Sequence, residues 1–357
     1  MKKILLVAAA AMVVAAGCEK TQILNPVEDT IGFSSQAGKL TKASEGDQTT
    51  LKTQGIEVWA FHAKADANNG IELGDQFDDM AGIALTYTND TWTTVREYYW
   101  PGTDKSLDFF AISSKNKELD PTFINEGGVN DNDTGKRVMT IPNYSVAASV
   151  ADDDLMVADF VRQHQGQNGK QVHLRFHHAL SKVMFKFTTT STETVKVNSL
   201  TIEGLTIKGD LTVTEGAVID GEHGNTRSQV NLAWTLGDQE NDKANFTKSE
   251  VRVLTPEATS TQDNLYVTWL VLPQTISDDD DNTLEAADKR VRINYTVGTG
   301  EKAKTFDVVF ELGSSTFLAW KENQAVTYTV NITPNKITFT PDVKGWEDPA
   351  TNVDHTN

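Results

Sequence analysis

Cysteine is almost absent from this chain of 357 residues, in which Cys18 is the only one. A single cysteine cannot form an internal disulfide, so the folded state has to be stabilised by packing and strand pairing. Helical periodicity is scarce as well, because apolar residues seldom recur at intervals of three and four over a dozen positions. Alternation of β-branched and aromatic residues recurs throughout the chain instead, which predicts an all-β protein.

Basic residues are few, since 32 Lys and Arg stand against 50 Asp and Glu, which gives a formal net charge of −18. A chain of this charge repels a phosphate backbone, so no nucleic-acid partner is expected. The acidic runs at residues 152–154 and 278–281 lack the pattern of a calcium-binding loop. They are interpreted as solvated turns.

Catalytic motifs are missing from the sequence. It contains no Gly-x-Ser-x-Gly elbow, no phosphate-binding loop and no dinucleotide fingerprint. His177 and His178 are adjacent in a predicted strand and therefore point to opposite faces, so they cannot converge on one metal. The other histidines lack zinc-like spacing. We therefore predict a protein that is not an enzyme and that binds no metal and no cofactor.

The N-terminal residues have the composition of an export signal. Lys2 and Lys3 precede an apolar run over residues 4–14 that is too short to span a bilayer, and small residues follow at 15–17. This junction before Cys18 resembles the lipobox of bacterial lipoproteins. The resemblance implies a signal peptide over 1–17, a palmitate-bearing Cys18 and a surface-exposed lipoprotein of the outer membrane. The alternative is an ordinary cleaved signal followed by an incidental cysteine.

Turn signals divide the strand candidates into short units. Residues 298–302 and the pair Asn89 and Asp90 each lie between two alternating segments, which predicts hairpins. About fifteen such strands, with one short helix at 178–182, predict two tandem antiparallel β-sandwiches. A polar stretch at 162–170 is the expected boundary. The predicted division is a signal peptide over 1–17, an N-terminal segment over 18–50, an N-terminal β-sandwich over 51–165 and a C-terminal β-sandwich over 166–357.

Several short phrases occur in a characteristic order across the chain. They are IGFSS at 31–35, WP at 100–101, LDFFAI at 107–112, DLMVA at 154–158, VHLRFHHALSKV at 172–183, LPQ at 272–274, YTVNI at 328–332 and VKGW at 343–346. In this order and spacing they are similar to the fimbrillin family of Bacteroidales lipoproteins, the Mfa-like and FimA-like pilins.

The resemblance implies a fold and a way of assembling. It implies a pair of transthyretin-like β-sandwiches and a structural or accessory subunit of a surface pilus, or fimbria, that supports cell adhesion. In that family a trypsin-like protease removes the N-terminal segment, and a strand of a neighbouring subunit then enters the opened groove. Backbone hydrogen bonds give such an inserted strand its affinity, and alternate side chains fill pockets.

Three groups of residues carry the expected roles. Ile31 and Phe33 fill two pockets as a guard strand, that is, a strand that covers the groove before assembly. The polar stretch 34–53 is a mobile connector in which Lys42 is the candidate processing site. The donor or terminal strand is marked by apolar residues at Ile337, Phe339 and Val343. The alternative is that this segment is simply the last strand of the second sandwich, which favours a terminal subunit over a stalk repeat.

A rival function of another class is a monomeric glycan-binding lipoprotein anchored through Cys18. Sugar recognition uses exposed aromatic rings, and the chain has seven tryptophans. Most of them lie in alternating apolar segments and are expected in the core, whereas Trp92 is the candidate for exposure. The expected partners are other pilus subunits, the outer membrane through the lipid, and host or bacterial surface receptors.

The N-terminus of the protein recovered from cells tests these expectations. We expect intact-mass analysis to show either an acylated Cys18 at the start of the chain, which means a retained anchor, or a start near Ala43, which means processing for assembly. Recovery of the chain with an unmodified Cys18 at its start would contradict lipidation.

Overall fold

The computed structural model describes most of the chain after residue 29. The described residues are 30–37, 45–65, 71–102, 105–116, 118–126, 136–146, 153–165, 171–222, 225–255, 267–277, 289–313, 317–333 and 337–346. Cys18 and Lys42 lie outside them. Within them strands dominate, so the expected all-β class is confirmed.

The described residues form one α-helix, twenty-three strands and two 3-10 helices of three residues each. The helix α1 spans Glu45–Gln54. The strands are β1 Gly32–Ala37, β2 Ile56–Ala65, β3 Ile71–Gln76, β4 Ile83–Thr88, β5 Thr91–Thr94, β6 Ser106–Ser113, β7 Thr122–Glu126, β8 Lys136–Ser145, β9 Met156–Ala158, β10 Phe160–His164, β11 Gln171–His178, β12 Ser181–Thr189, β13 Val195–Thr206, β14 Lys208–Glu222, β15 Asn225–Leu236, β16 Lys243–Leu254, β17 Val267–Val271, β18 Gln274–Thr275, β19 Arg290–Val297, β20 Lys304–Glu311, β21 Ala319–Trp320, β22 Gln324–Ile332 and β23 Ile337–Gly345.

Seven strands form a closed ring. Hydrogen-bonded neighbours follow the order β2-β4-β5-β1-β11-β9-β6, and β6 pairs again with β2. The ring encloses a buried apolar cluster that includes Val58 of β2, Phe109 of β6 and Leu174 of β11. Each strand of the ring therefore has a hydrogen-bonded neighbour on both sides, although β1 and β5 pair at one position only. The first strand, β1, is one of its members.

The same sheet continues beyond the ring as β6-β10-β15-β14-β8-β7. Two further sheets of four strands, β17-β12-β22-β23 and β16-β13-β19-β20, contribute inward side chains to one buried cluster. Strand β12 shows how the sequence specifies this, because alternate positions such as Val183 and Phe185 are fully buried, and the residues between them are half-buried.

Several local predictions are confirmed and others are wrong. The hairpin turns form as expected, with positive φ at Asn89 and Asp90 and at Gly298 and Gly300. The predicted helix at 178–182 is wrong, because alternate burial continues β11 through His178 and β12 starts at Ser181. The expectation of purely antiparallel sheets is also wrong, since β1 pairs with β11, and β12 with β22, in parallel.

The connector is shorter than the sequence indicated. Residues 34–37 belong to β1, and residues 45–54 form α1. The helix forms because its one large apolar residue, Leu51, is fully buried against the ring cluster, and Gln54 is also buried. The polar composition of 34–53 therefore does not prevent regular structure at residues 34–37 and 45–53.

The division into domains stays a prediction. Strand pairing crosses the expected boundary at 162–170, because β11 pairs with β1, and β15 pairs with β10. The hairpin of β14 and β15 lies after that boundary in sequence, yet β14 also pairs with β8.

A fully buried arginine joins this hairpin to the ring. Arg137 of β8 donates to Asp108 of β6 over 2.6 Å and to Glu215 of β14 over 2.7 and 3.0 Å. Arg162 and Ser228 complete the network, with bonds of 2.7 Å to Asp108 and Glu215 respectively. Burial by itself raises the pKa of Glu215, but the hydrogen bonds and charge of Arg137 outweigh it, so the pKa is lowered. Glu215 therefore stays ionised and its charge is paired.

Replacing Arg137 by methionine leaves Asp108 and Glu215 buried with one cation fewer. We expect Arg137→Met to lower the free energy of unfolding by about 3–5 kcal/mol, measured by urea denaturation. The matched control is Arg292→Met, because Arg292 is exposed although it also bonds two carboxylates, Glu203 and Asp307. Its effect should be much smaller, and equal losses in the two variants would contradict the importance of burial.

Candidate functional site

The candidate site is built around β1, which is held very differently on its two sides. Six consecutive residues pair with β11, from Gly32 opposite Gln171 to Ala37 opposite Phe176. On the other side β1 pairs with β5 only where Phe33 faces Trp92. A bridge from Thr30 to Tyr99 and a hydrogen bond of 2.8 Å from Ile31 N to Tyr98 O lie just before the strand.

The inward side chains of this segment are buried. Ile31 is 7% exposed and Phe33 is 3% exposed, and both belong to the apolar cluster inside the ring. The Phe33 ring meets Phe109 edge to face at 6.0 Å, and Phe109 meets Trp100 at 5.9 Å. Phe33 therefore occupies an aromatic pocket, as alternation along the strand predicts. Whether the two residues act as a guard strand stays a prediction.

One inward position fits less well. The hydroxyl of Ser35, two residues after Phe33, is buried and has no hydrogen-bond partner among the residues that the structure describes. A buried hydroxyl without a partner is destabilising by about 1–3 kcal/mol. The first strand is therefore not the best possible occupant of its own position.

On the face of β1 opposite to Phe33, a side chain makes a polar contact with β11. Ser34 Oγ and His173 Nδ1 lie 2.7 Å apart, within hydrogen-bond distance. Burial lowers the pKa of His173, and the positive charges of Arg227 and Arg175 lower it further. The lowered pKa favours the neutral imidazole, in which an unprotonated ring nitrogen can accept a hydrogen bond from the Ser34 hydroxyl. No local sequence pattern indicates this contact, because its partners are 139 residues apart.

A cleft of about 440 Å³ opens beside β1, where β1 and β5 diverge. Thr30, Ile31 and Phe33 line one side, and residues 92–97 line the other. Val95 lies at this cleft and is 97% exposed. The weakly paired side of β1 is thus also the side with free space.

The helix that follows the connector is firmly attached. Gln54 Nε2 donates to Asp154 O over 2.9 Å, and Asp154 N donates back to Gln54 Oε1 over 3.0 Å. Asp154 is 6% exposed, so the expectation of a solvated turn at 152–154 is wrong at this residue. Lys52 lies in the last turn of α1, with its Nζ 4.2 Å from the Tyr87 ring.

The predicted donor or terminal segment forms β23, an edge strand that pairs only with β22 among the described strands. Ile337 and Phe339 are half-buried and Val343 is 39% exposed. The Phe339 ring stacks on Tyr328 at 4.7 Å and on Phe310 at 5.6 Å.

The described residues show few features of a sugar-binding or metal-binding site. The structure describes all seven tryptophans and none is exposed. Trp92 is 7% exposed, so its expected exposure is wrong, because it lies on the inward face of β5 and packs on Tyr87 at 5.2 Å. His177 and His178 face different carboxylates, Asp159 and Asp154.

Two features are absent from the described part of the chain. Three or more His, Cys, Asp or Glu side chains never gather there in a way that could hold a metal ion. The same residues include no helix with the length and apolar character needed to cross a bilayer.

The comparisons with known proteins agree with the resemblance seen in the sequence. A fimbrial protein from Bacteroides vulgatus is 16% identical, with a TM-score of 0.51, and the match covers 89% of this chain and 99% of that one. A fimbrial assembly protein from Parabacteroides distasonis is 11% identical, with a TM-score of 0.35, covering 88% and 98%. No curated protein matches the chain. The model of the fimbrillin-like family matches residues 41–346, most of the sequence, and the chain therefore belongs to the fimbrillin-like family.

Proposed function

We propose that this protein is a structural or accessory subunit of a cell-surface fimbria that assembles by β-strand exchange and supports adhesion. In this proposal β1 is the guard strand, and a strand of a neighbouring subunit replaces it between β5 and β11. The protein acts through binding and has no catalytic role. Family membership supports the fimbrial setting, and the position of β1 carries the proposed mechanism.

The single observation that carries the proposal is the place of β1 in the closed ring. Among the described pairings, β1 is the strand that connects β5 to β11, so its departure leaves both of their edges without partners. It also uncovers the pockets of Ile31 and Phe33. An apolar groove between two unpaired strand edges is the surface that an added β-strand binds.

Two features of β1 favour its replacement. The single pair with β5 leaves one side almost unsealed, and the cleft next to it gives an incoming strand access. The buried hydroxyl of Ser35 has no hydrogen-bond partner among the described residues, which is destabilising. A strand with a small apolar residue at that position would bind more favourably, because no polar group would be buried without a partner.

The donor proposed here is β23 of a second subunit. Ile337 and Phe339 repeat the residue types and spacing of Ile31 and Phe33, so the same two pockets fit them. Among the described strands β23 pairs only with β22, so it can leave without breaking a second described ladder. The competing interpretation, in which β23 stays as the last strand of its own sheet, makes this protein a terminal subunit.

The location and domain structure belong to the same proposal. We place the protein at the outer membrane through lipid on Cys18 until cleavage at Lys42 separates residues 18–42 from the rest. The two transthyretin-like sandwiches, over 51–165 and 166–357, are also part of the proposal: the ring cluster takes most of its residues from the first range, and the other cluster takes most from the second, while each includes some residues of the other range. Other fimbrial subunits are the partners, together with surface receptors that adhesion requires.

Replacing the pocket residues tests the guard-strand role. Phe33→Ala should lower the free energy of unfolding of the precursor by about 3–5 kcal/mol, because a buried aromatic ring is removed. The double variant Ile31→Asp and Phe33→Asp should lose most of its surface yield, measured on intact cells, because it buries two unpaired carboxylates. Val95→Asp is the control, since Val95 lies at the same cleft but is 97% exposed. Normal yield of the double variant would argue against the role.

Cleavage of the folded full-length chain tests strand exchange. A trypsin-like protease should cut at Lys42, release the segment that contains β1, and convert monomers into longer assemblies, followed by intact mass and electron microscopy. Lys39→Gln combined with Lys42→Gln should stay monomeric under the same treatment. A cut chain that keeps its β1 segment bound and remains monomeric would refute strand exchange.

A further inference from the structure

The last described residue, Trp346, is held by several contacts at once. Its indole ring stacks on the imidazole of His178, with ring centres 3.8 Å apart and planes only 4° from parallel. Lys182 Nζ lies 5.3 Å from the centre of the same indole ring. The backbone N–H of Trp346 donates to Asn323 O over 2.8 Å. The end of β23 is therefore fixed by a stacked ring, a cation and a hydrogen bond.

His178 is itself held in place by Asp154. Its side chain is 1% exposed, and its Nδ1 lies 2.8 Å from Oδ2 of Asp154. The backbone of Asp154 makes the two hydrogen bonds to Gln54, the residue that ends α1. A continuous series of contacts thus runs from α1 through Asp154 and His178 to Trp346.

The rest of β23 is held less firmly. Thr340, Asp342, Val343 and Lys344 are exposed, and Phe339 packs near the turn that leads from β22. A hairpin strand separates most easily at the end that is remote from its turn, because that end can open without moving the turn. In β23 this is the end next to Trp346. The contacts of Trp346 therefore oppose the first step of separation.

We propose that Trp346 and His178 form a latch that keeps β23 in its own subunit, and that Gln54 of α1 supports this latch through Asp154. The latch is the stacked pair of rings together with Lys182. Its role in assembly rests on the proposed strand exchange, in which β23 is the donor. The helix α1 follows the proposed cleavage site, Lys42, in the sequence. The contacts through Asp154 and His178 therefore connect the processed region to β23, the proposed donor strand.

Hydrogen exchange on the monomeric full-length precursor tests the latch directly. Trp346→Ala should make the backbone amides of β23 exchange about fivefold faster or more, since a stacked aromatic pair and a cation–π contact are lost. The amides of β19, in the other four-stranded sheet, should keep their rates. Trp346→Phe should stay close to the unmodified protein, because a smaller ring can still stack on His178.

The matched control is Val343→Ala, which removes apolar surface from the same strand at a position that is 39% exposed. Its β23 amides should exchange at nearly the unmodified rate. If Val343→Ala and Trp346→Ala speed the exchange equally, or if neither does, the latch is refuted.

A second variant tests the connection to α1. It also keeps the latch testable if Trp346→Ala unfolds the whole chain. Gln54→Ala removes the two hydrogen bonds to Asp154 without touching β23, and it should also speed the exchange of β23 amides. Unchanged β23 rates in Gln54→Ala would overturn the support from α1. These measurements need no assembly, so the latch and the proposed strand exchange can fail separately.

Discussion

The ring of seven strands depends on β1, because this strand alone joins β5 to β11 among the described pairings. Every backbone N–H and C=O at the two neighbouring edges needs a partner, and the apolar cluster inside the ring needs a cover. One short strand pairs with both edges and covers the cluster. It does so unequally, with six paired residues towards β11 and a single one towards β5. The stability of the ring is thus concentrated in an element that is bonded mainly on one side.

The remainder of the molecule is tied to this ring by polar contacts that apolar packing alone does not specify. Arg137 of β8 connects β6 to β14 by pairing two buried carboxylates, one from each of these strands. Gln54 attaches α1 to the backbone of Asp154, and Asp154 holds His178 under Trp346. Such contacts are strongly directional, because a buried charge or amide without its partner is destabilising. They therefore connect α1 and Trp346 through Asp154 and His178.

Local sequence patterns predicted the elements that depend on neighbouring residues and misjudged those that depend on distant ones. Alternation located the strands, and Asn89 and Asp90 marked a hairpin correctly, because both signals are local. The turn beside Trp92 suggested exposure, yet the ring buries this side chain. The polar stretch after β1 concealed α1, whose formation depends on burying Leu51 in a cluster assembled from strands far away in sequence.

The sequence by itself determined that the protein is all-β, that it belongs with the fimbrillin-like proteins, and that Ile31 and Phe33 point to one face of a strand. These follow from side-chain period and residue order, which are properties of the linear chain. Only the tertiary structure decided that β1 runs parallel to β11 and closes a ring, and that Trp346 stacks on His178. The physical reason is that strand partners and ring contacts join residues more than a hundred positions apart, and no local pattern encodes which distant edge a strand will meet.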